Sequence, residues 1–130
     1  MNKATELLSK AGTFYIATAD GDQPRVRPFG AVAEFGGKTY ICMNNTKKVF
    51  KQLIANPKIE ITATFDGGGK WFRLQAVANR DDTLEARTKM LEQVPTLGGM
   101  YKPDDGIYEV FYLTDVSGTV ESFAGAPETF

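Results

Sequence analysis

Two closely spaced hairpin signals constrain this chain more than any other feature. Asp20-Gly21 is the strongest local hairpin signal in the chain. Phe35-Gly36-Gly37-Lys38 supplies the second turn. The runs around them are strand-like: Phe14 to Thr18, then Pro24 to Ala33, then Thr39 to Met43. Two hairpins in succession predict an antiparallel meander, which needs no crossover helices.

The rest of the chain extends that pattern. Ala4, Leu7, Leu8 and Ala11 recur at helical spacing, and Gly12 is a natural helix stop. Asn45 or Thr46 is expected to cap a helix carrying Val49, Phe50, Leu53 and Ile54, which Asn56-Pro57 ends. Lys58 to Phe65 alternates apolar and polar residues, so it is predicted as a strand with one buried face. Asp66-Gly67-Gly68-Gly69 turns into a further strand, Lys70 to Ala78. Asp82 with Glu85 reads as a capping box for a helix holding Leu84, Leu91 and Val94. Pro95 to Gly106 reads as an irregular link. Ile107 to Leu113 and Gly118 to Phe123 are expected to close the chain as two strands. The fold class is mainly β with flanking helices (α+β), seven short strands forming a closed or nearly closed antiparallel barrel. The 130 residues are expected to form a single domain, 1–130.

Composition excludes more chemistry than any motif suggests. There is no histidine, which rules out Ser-His-Asp and Cys-His catalysis, His-based zinc sites and His-ligated haem. One cysteine leaves no intrachain disulfide and argues against iron–sulfur clusters, so no metal site is expected. Chemistry must then come from carboxylates, Lys, Tyr or a borrowed organic cofactor. No apolar run approaches the ~20 residues of a membrane span. Met1-Asn2-Lys3 leads straight into an amphipathic helix rather than a signal sequence, and the lone thiol fits a reducing cytoplasm. Nine Phe and five Tyr exceed what the core of a small monomer needs, which favours an oligomer or a flat bound ligand.

Net charge is −1, yet charge is unevenly placed. Arg25, Arg27, Lys38, Lys47, Lys48, Lys51 and Lys58 fall in a stretch whose only acid is Glu34. From Lys102 onward a single base accompanies six acids. A local basic patch in a near-neutral protein suits a small anion better than a nucleic acid. Arg25 and Arg27, two apart on a strand, share a face, and a guanidinium matches phosphate bidentately. Two surface arginines on an edge strand are the alternative, since Pro24 and Pro28 already favour an edge. Pro28-Phe29-Gly30-Ala31 is a run that no ordinary central strand would choose, and it would suit a ring lying along the backbone or a simple bulge. Asn44-Asn45-Thr46-Lys47-Lys48 sits where a strand passes into a helix, where free N–H groups and the helix dipole favour an anion. It also reads as an ordinary capped helix with solvated lysines. Trp71, Arg73 and Gln75 share one strand face, suited to covering a flat ligand, to a subunit interface or to an exposed cation–π pair. Tyr15, Tyr40 and Tyr101 are possible acids, equally readable as core aromatics.

The leading helix, the ATADGDQPRVRPFG hairpin, the YICMNNTKKVFKQLIANPKIEI strand–helix–strand and the late FYLTDVSGTVESFAG segment resemble the FMN-binding split β-barrel family. These are the pyridoxamine 5′-phosphate oxidase-like flavoproteins, and the resemblance is nearer to their short Nim-like branch. It implies FMN held between the subunits of a homodimer burying roughly 2,000 Å2 or more. It implies that Arg27, with Arg25 beside it, contacts the FMN phosphate or ribityl chain. Pro28, Phe29, Gly30 and Ala31 would run beside the isoalloxazine, and Asn44, Asn45, Thr46, Lys47 and Lys48 would supply further phosphate ligands. Trp71 or Gln75 would reach the ring from the partner subunit. The C-terminal Trp…Arg-x-His motif of true pyridoxamine-phosphate oxidases is missing, so that reaction is not implied. The implied function is FMN-dependent oxidoreduction of a small molecule, flavin-reductase-like or nitroreductase-like. The alternative is a non-catalytic flavin-binding module for storage, sensing or electron relay. No catalytic residue is assigned.

Overall fold

One sheet of eight antiparallel strands makes up most of the computed structural model, which describes Met1–Phe130. The strands are β1 (Phe14–Asp20), β2 (Gln23–Phe29), β3 (Ala33–Phe35), β4 (Lys38–Asn44), β5 (Lys58–Phe65), β6 (Lys70–Arg80), β7 (Tyr108–Ser122) and β8 (Glu128–Thr129). Three helices accompany them: α1 (Lys3–Ala11), α2 (Lys48–Ala55) and α3 (Leu84–Gln93). The strand order is β2-β1-β5-β6-β7-β4-β3, with β8 added beside β7.

That order forces curvature. β2 and β3 are the two ends of the hydrogen-bonded path, yet only residues 30–32 separate them in sequence. Four residue steps span at most about 14 Å, so the sheet must roll until its ends meet. The result is a barrel split between β2 and β3, in place of a continuous ladder there. The single strand expected from Pro24 to Ala33 is therefore two strands. Pro28 removes a ladder donor and the backbone leaves the sheet at Gly30.

The C-terminal strand pair is also different from expectation: one strand, β7, runs unbroken through the expected gap. Its first part pairs with β4 (Cys42 opposite Val110) and its later part with β6 (Phe72 opposite Val120). The register with β6 shifts between Gln75 and Val77, so two residues of β7, Asp115 and Val116, face one. Asp115 has φ 53°, the left-handed conformation that such a bulge demands. Helix α3 is capped by Thr83, whose Oγ1 accepts from the Ala86 amide at 3.1 Å. Asp82 instead pairs with Arg87 and Arg80, so the expected Asp82–Glu85 box does not form.

Two apolar clusters result. The barrel interior holds Phe14, Ile16, Ile41, Ile61, Phe72, Leu74 and Phe111, closed by Leu7 and Leu8 of α1 and by Val49 and Leu53 of α2. The second lies outside the barrel, where Ala86 and Met90 of α3 and Leu97 cover Tyr40, Cys42, Tyr108 and Val110. This explains why β7 is apolar on both faces: one meets the barrel core, and the helix covers the other. The outer face of β1, β2 and β6 has no such cover. Val26 is 66% exposed, Tyr15 is 45% exposed, and Trp71 leans on an 89%-exposed Phe123 at 4.9 Å.

Gly118 is the tightest backbone approach in the barrel. Its N–H and C=O exchange hydrogen bonds with Phe130, and a Cβ there would strike the Arg73 carbonyl oxygen and sit 2.8 Å from the Phe130 ring. Gly118→Ala is therefore expected to lower stability by about 1–3 kcal/mol or more, as overpacking against a backbone atom does. Thermal unfolding of the purified variant measures it; an unchanged melting temperature would contradict this packing.

Candidate functional site

A cleft of about 640 Å3 opens at the split of the barrel, a volume in the range of small-molecule sites. Its walls come from three places. Arg27, Pro28, Phe29, Gly30 and Ala31 form one side, where β2 leaves the sheet. Cys42, Met43 and Asn44 of β4, with Lys47, Lys48 and Val49 at the start of α2, form the second. Val94, Thr96, Leu97, Met100 and Tyr101 form the third, from the segment after α3. One end of the cleft is cationic and the rest is largely apolar.

Arg27 is held in place before any ligand arrives. It lies opposite Ile16 in the β1–β2 ladder and so faces the barrel side. Its Nη1 donates to the Ile16 carbonyl at 3.1 Å and to Thr18 Oγ1 at 2.8 Å, and its Nη2 donates to Gln52 Oε1 at 2.7 Å. Gln52 Oε1 also accepts from Thr18 Oγ1 at 2.6 Å, so two buried side chains on different elements fix one guanidinium. Partial burial, then the charge of Arg25, pull the Arg27 pKa below its ordinary value; it still carries its charge at neutral pH. Three of its five donor hydrogens are used in this way, which leaves Nε–H and one Nη2–H for a ligand.

The start of α2 adds further donors. Its cap residue is Lys47, which offers no side-chain oxygen to the first turn, and that turn contains no acid. The Lys48 and Val49 amides are thus without an acceptor, at the positive end of the dipole, while the Phe50 amide bonds the Lys47 carbonyl. The cap expected at Asn45 or Thr46 is absent because Asn45 is engaged by Gly106 and Glu109 and Thr46 by Asn44. Asn44 Oδ1 accepts from the Thr46 amide at 2.9 Å and from the Thr46 hydroxyl at 2.8 Å. Arg27, Lys47 and Lys48 take part in no ion pair within the protein. Unpaired cations converging with free amides suit a phosphate or similar anion.

Eight of the thirteen residues singled out from sequence line this cleft: Arg27, Pro28, Phe29, Gly30, Ala31, Asn44, Lys47 and Lys48. Five do not. Arg25 shares the face of Arg27 but lies nearer the hairpin, where it pairs with Asp20 at 3.2 Å. Asn45 turns away to bond Gly106 and Glu109. The Thr46 hydroxyl is occupied by Asn44. Trp71 and Gln75 are on the outer face of β6, opposite buried Phe72, Leu74 and Ala76, and Trp71 packs on Phe123 instead of forming a cation–π pair with Arg73.

Sequence reasoning missed Cys42, Met43 and Val49, and the wall of Val94, Thr96, Leu97 and Met100; of that wall only Tyr101 stood out, as a possible acid. The only signal for the rest of that wall was the apolar residues of an otherwise irregular link. Pro95–Gly99 forms a 3-10 turn there, and buried Leu97 anchors it. Tyr101 stacks on Tyr108 with centroids 4.7 Å apart. Beneath the cleft, Tyr108 Oη is buried without a hydrogen-bond partner of acceptable geometry, facing the Cys42 thiol. Burial pushes the Cys42 thiol up to about 12 and raises Tyr101 too, the latter helped by Cys42 and Asp105. No Asp or Glu lines the cleft, so its only weak acids, Cys42 and Tyr101, stay protonated at neutral pH.

No family model and no curated protein matches this chain. Solved structures do. A NimC/NimA family protein from Clostridium acetobutylicum is 53% identical, with a TM-score of 0.94 over 98% of this chain and 89% of that one. A second Clostridium acetobutylicum protein, related to general stress protein 26 of the pyridoxinephosphate oxidase family, is 15% identical with a TM-score of 0.78 over 98% of this chain and 91% of that one. A haem-binding protein from Mycobacterium smegmatis is 17% identical with a TM-score of 0.74, covering 100% of this chain and 58% of that one. The last two show a shared fold alone.

Gln52→Leu would strip the shared acceptor from Thr18 and Arg27. A loss of about 1–3 kcal/mol is expected from the unsatisfied donors, read by denaturant unfolding. The raised Cys42 pKa predicts slow labelling by a thiolate-specific reagent at pH 8 in the native protein and rapid labelling once unfolded. Because the folded pKa lies above the ordinary 9.0, native stability should also fall as pH rises from about 9 towards about 12. Equal labelling rates in native and denaturing buffer would contradict the burial.

Proposed function

Since the chain belongs to the NimC/NimA family of pyridoxamine 5′-phosphate oxidase-like proteins, we propose that its cleft binds FMN for the oxidoreduction of a small molecule. The observation that carries this reading is the pairing of a preorganised, unpaired Arg27 with the uncapped start of α2 at one end of an apolar cleft. The donor set fits a phosphomonoester. Arg27, Lys47, Lys48 and the first α2 amides would hold the phosphate. The backbone of residues 28–31 and the side chains of Leu97, Met100 and Tyr101 would flank the ring. When bound, FMN supplies reversible acceptance of electrons, which the protein's own side chains do not offer. Haem suits the cleft less well: the chain has no histidine and the one thiol stays protonated, which leaves no ready iron ligand there.

The residues present do defined work in this scheme. Gln52 and Thr18 hold the Arg27 guanidinium so that it loses little freedom on binding. Leu97, Met100 and Tyr101 would cover part of the ring and reduce its contact with water, which strengthens each polar contact inside. Tyr101 keeps its proton and can donate a hydrogen bond. With no carboxylate in the cleft, the protein supplies orientation and electrostatics rather than a general acid, and a substrate proton would come from solvent. That shortage also favours a second reading, a flavin-binding module for storage, sensing or relay without turnover.

A homodimer is part of the proposal. The bare outer face carrying Tyr15, Val26, Trp71 and Phe123 is suited to a second copy, from which Trp71 or Gln75 could approach the partner's cleft. The single cysteine fits a cytoplasmic setting, and no helix is long and apolar enough to cross a membrane.

Protein purified with FMN and then desalted should keep the absorption of oxidised flavin and bleach with dithionite. Arg27→Ala should weaken FMN binding about ten- to a hundredfold, the value of one or two charge-assisted hydrogen bonds, while changing riboflavin affinity little. A colourless protein that retains no added FMN would end the reading. Bleaching by NADH or NADPH separates an enzyme from a passive flavin carrier.

A further inference from the structure

The turn that carries Lys47 and Lys48 is not held by its own residues alone. Glu109 of β7 lies beneath it, with its side chain only 6% exposed. Its Oε1 accepts from Arg80 Nε at 2.8 Å. Its Oε2 accepts from Arg80 Nη2 at 3.1 Å and from Asn45 Nδ2 at 2.9 Å. Asn45 is gripped further: its Nδ2 donates to the Gly106 carbonyl at 2.8 Å and its backbone N–H to the Ile107 carbonyl at 2.8 Å. The same Arg80 guanidinium lies over the ring of Phe50, 5.3 Å from its centroid, in the first turn of α2.

Glu109 thus reaches α2 by two routes, through Asn45 just before it and through Arg80 on Phe50 within it. We propose that Glu109 is a positioning residue for the anion-binding turn: by clamping Asn45 and Arg80 it sets where Lys47, Lys48 and the first amides of α2 stand in the cleft. The inference rests on the FMN reading above and extends it to residues outside the cleft wall. Burying the Glu109 carboxylate against a solvent-exposed Arg80 is a poor source of stability compared with apolar packing of the same volume; fixing a geometry is the best-attested use of such a buried charge. Here the fixed element is the one bearing unpaired cations. The Asn44–Thr46 bonds shape the turn internally, whereas Asn45 ties it to the barrel, so loss of that tie would let the turn move as a unit.

A positioning role predicts a loss confined to the phosphate. FMN and riboflavin differ only by that group, so their dissociation constants are measured side by side by flavin fluorescence titration, for the wild-type full chain, Glu109→Gln and Asn45→Ala. In the wild type FMN should bind more tightly than riboflavin. Each variant should raise the FMN constant about tenfold, the lower end of the effect of removing an outer partner from a binding ligand, and leave the riboflavin constant within about twofold. Asn45→Ala keeps the Arg80–Glu109 pair and therefore serves if Glu109→Gln does not fold, as judged by its circular dichroism. Equal weakening of both flavins, or an unchanged FMN constant in a folded variant, would overturn the positioning role while leaving the FMN reading intact. A wild type that binds neither flavin, or binds both alike, would overturn the phosphate site itself and this inference with it.

Discussion

A three-residue connection between the two ends of one sheet is the constraint on which the rest of this structure depends. β2 and β3 are neighbours in sequence and opposite extremes in pairing order, so the sheet has to roll to bring them together. Rolling encloses Phe14, Ile16, Ile61, Phe72, Leu74 and Phe111 as a core and leaves a seam where no ladder forms. The seam exposes backbone at residues 28–31 and makes the cleft. Core and site are therefore consequences of one topological fact.

The cationic end of the cleft follows from how neighbouring elements brace it. Arg27 is aimed by acceptors from β1 and α2, and the Lys47–Lys48 turn is anchored to β7 through Asn45 and Glu109. Each anchor is buried or partly buried, where an unmet hydrogen bond is expensive, so both cationic arms are fixed by polar groups that cannot relax into water. The opposite wall is built differently, from apolar side chains on a turn whose buried anchor is Leu97. One end of the cleft is suited to holding a charged group and the other to accommodating a flat apolar one.

The local elements were largely legible in the sequence, and the errors have common causes. The hairpins at Asp20-Gly21 and Gly36-Gly37, the alternation of β5 and the amphipathic pattern of α1 are short-range properties of neighbouring residues. The caps of α2 and α3 were misplaced by one or two residues, because several cap-competent residues stand in a row and tertiary hydrogen bonds choose among them. Asn45 went to Gly106 and Glu109, and Asp82 went to Arg87, which left Lys47 and Thr83 at the caps. The long β7 was divided at Thr114–Ser117 because a left-handed Asp in a bulge looks, in sequence, like the end of a strand. Within the site, Arg27 and the Asn44–Lys48 turn stood out because cations and a strand-to-helix junction are visible one residue at a time. The wall of Val94–Met100 did not, since an apolar loop shows no function until something lies opposite it.

By itself the sequence determined an antiparallel, mainly β fold, the exclusion of histidine chemistry and a stretch rich in cations at a strand-to-helix junction, because turn geometry, side-chain periodicity and residue chemistry are local. Only the tertiary structure decided which of the basic and polar residues converge. Arg25 and Arg27 share a strand face, yet one is spent on Asp20 at the hairpin and the other is held at the seam. Thr18 is already beside Arg27 in the hairpin, but Gln52 lies 25 residues further along the chain, and its contact with the guanidinium exists only once α2 has packed against β1 and β2.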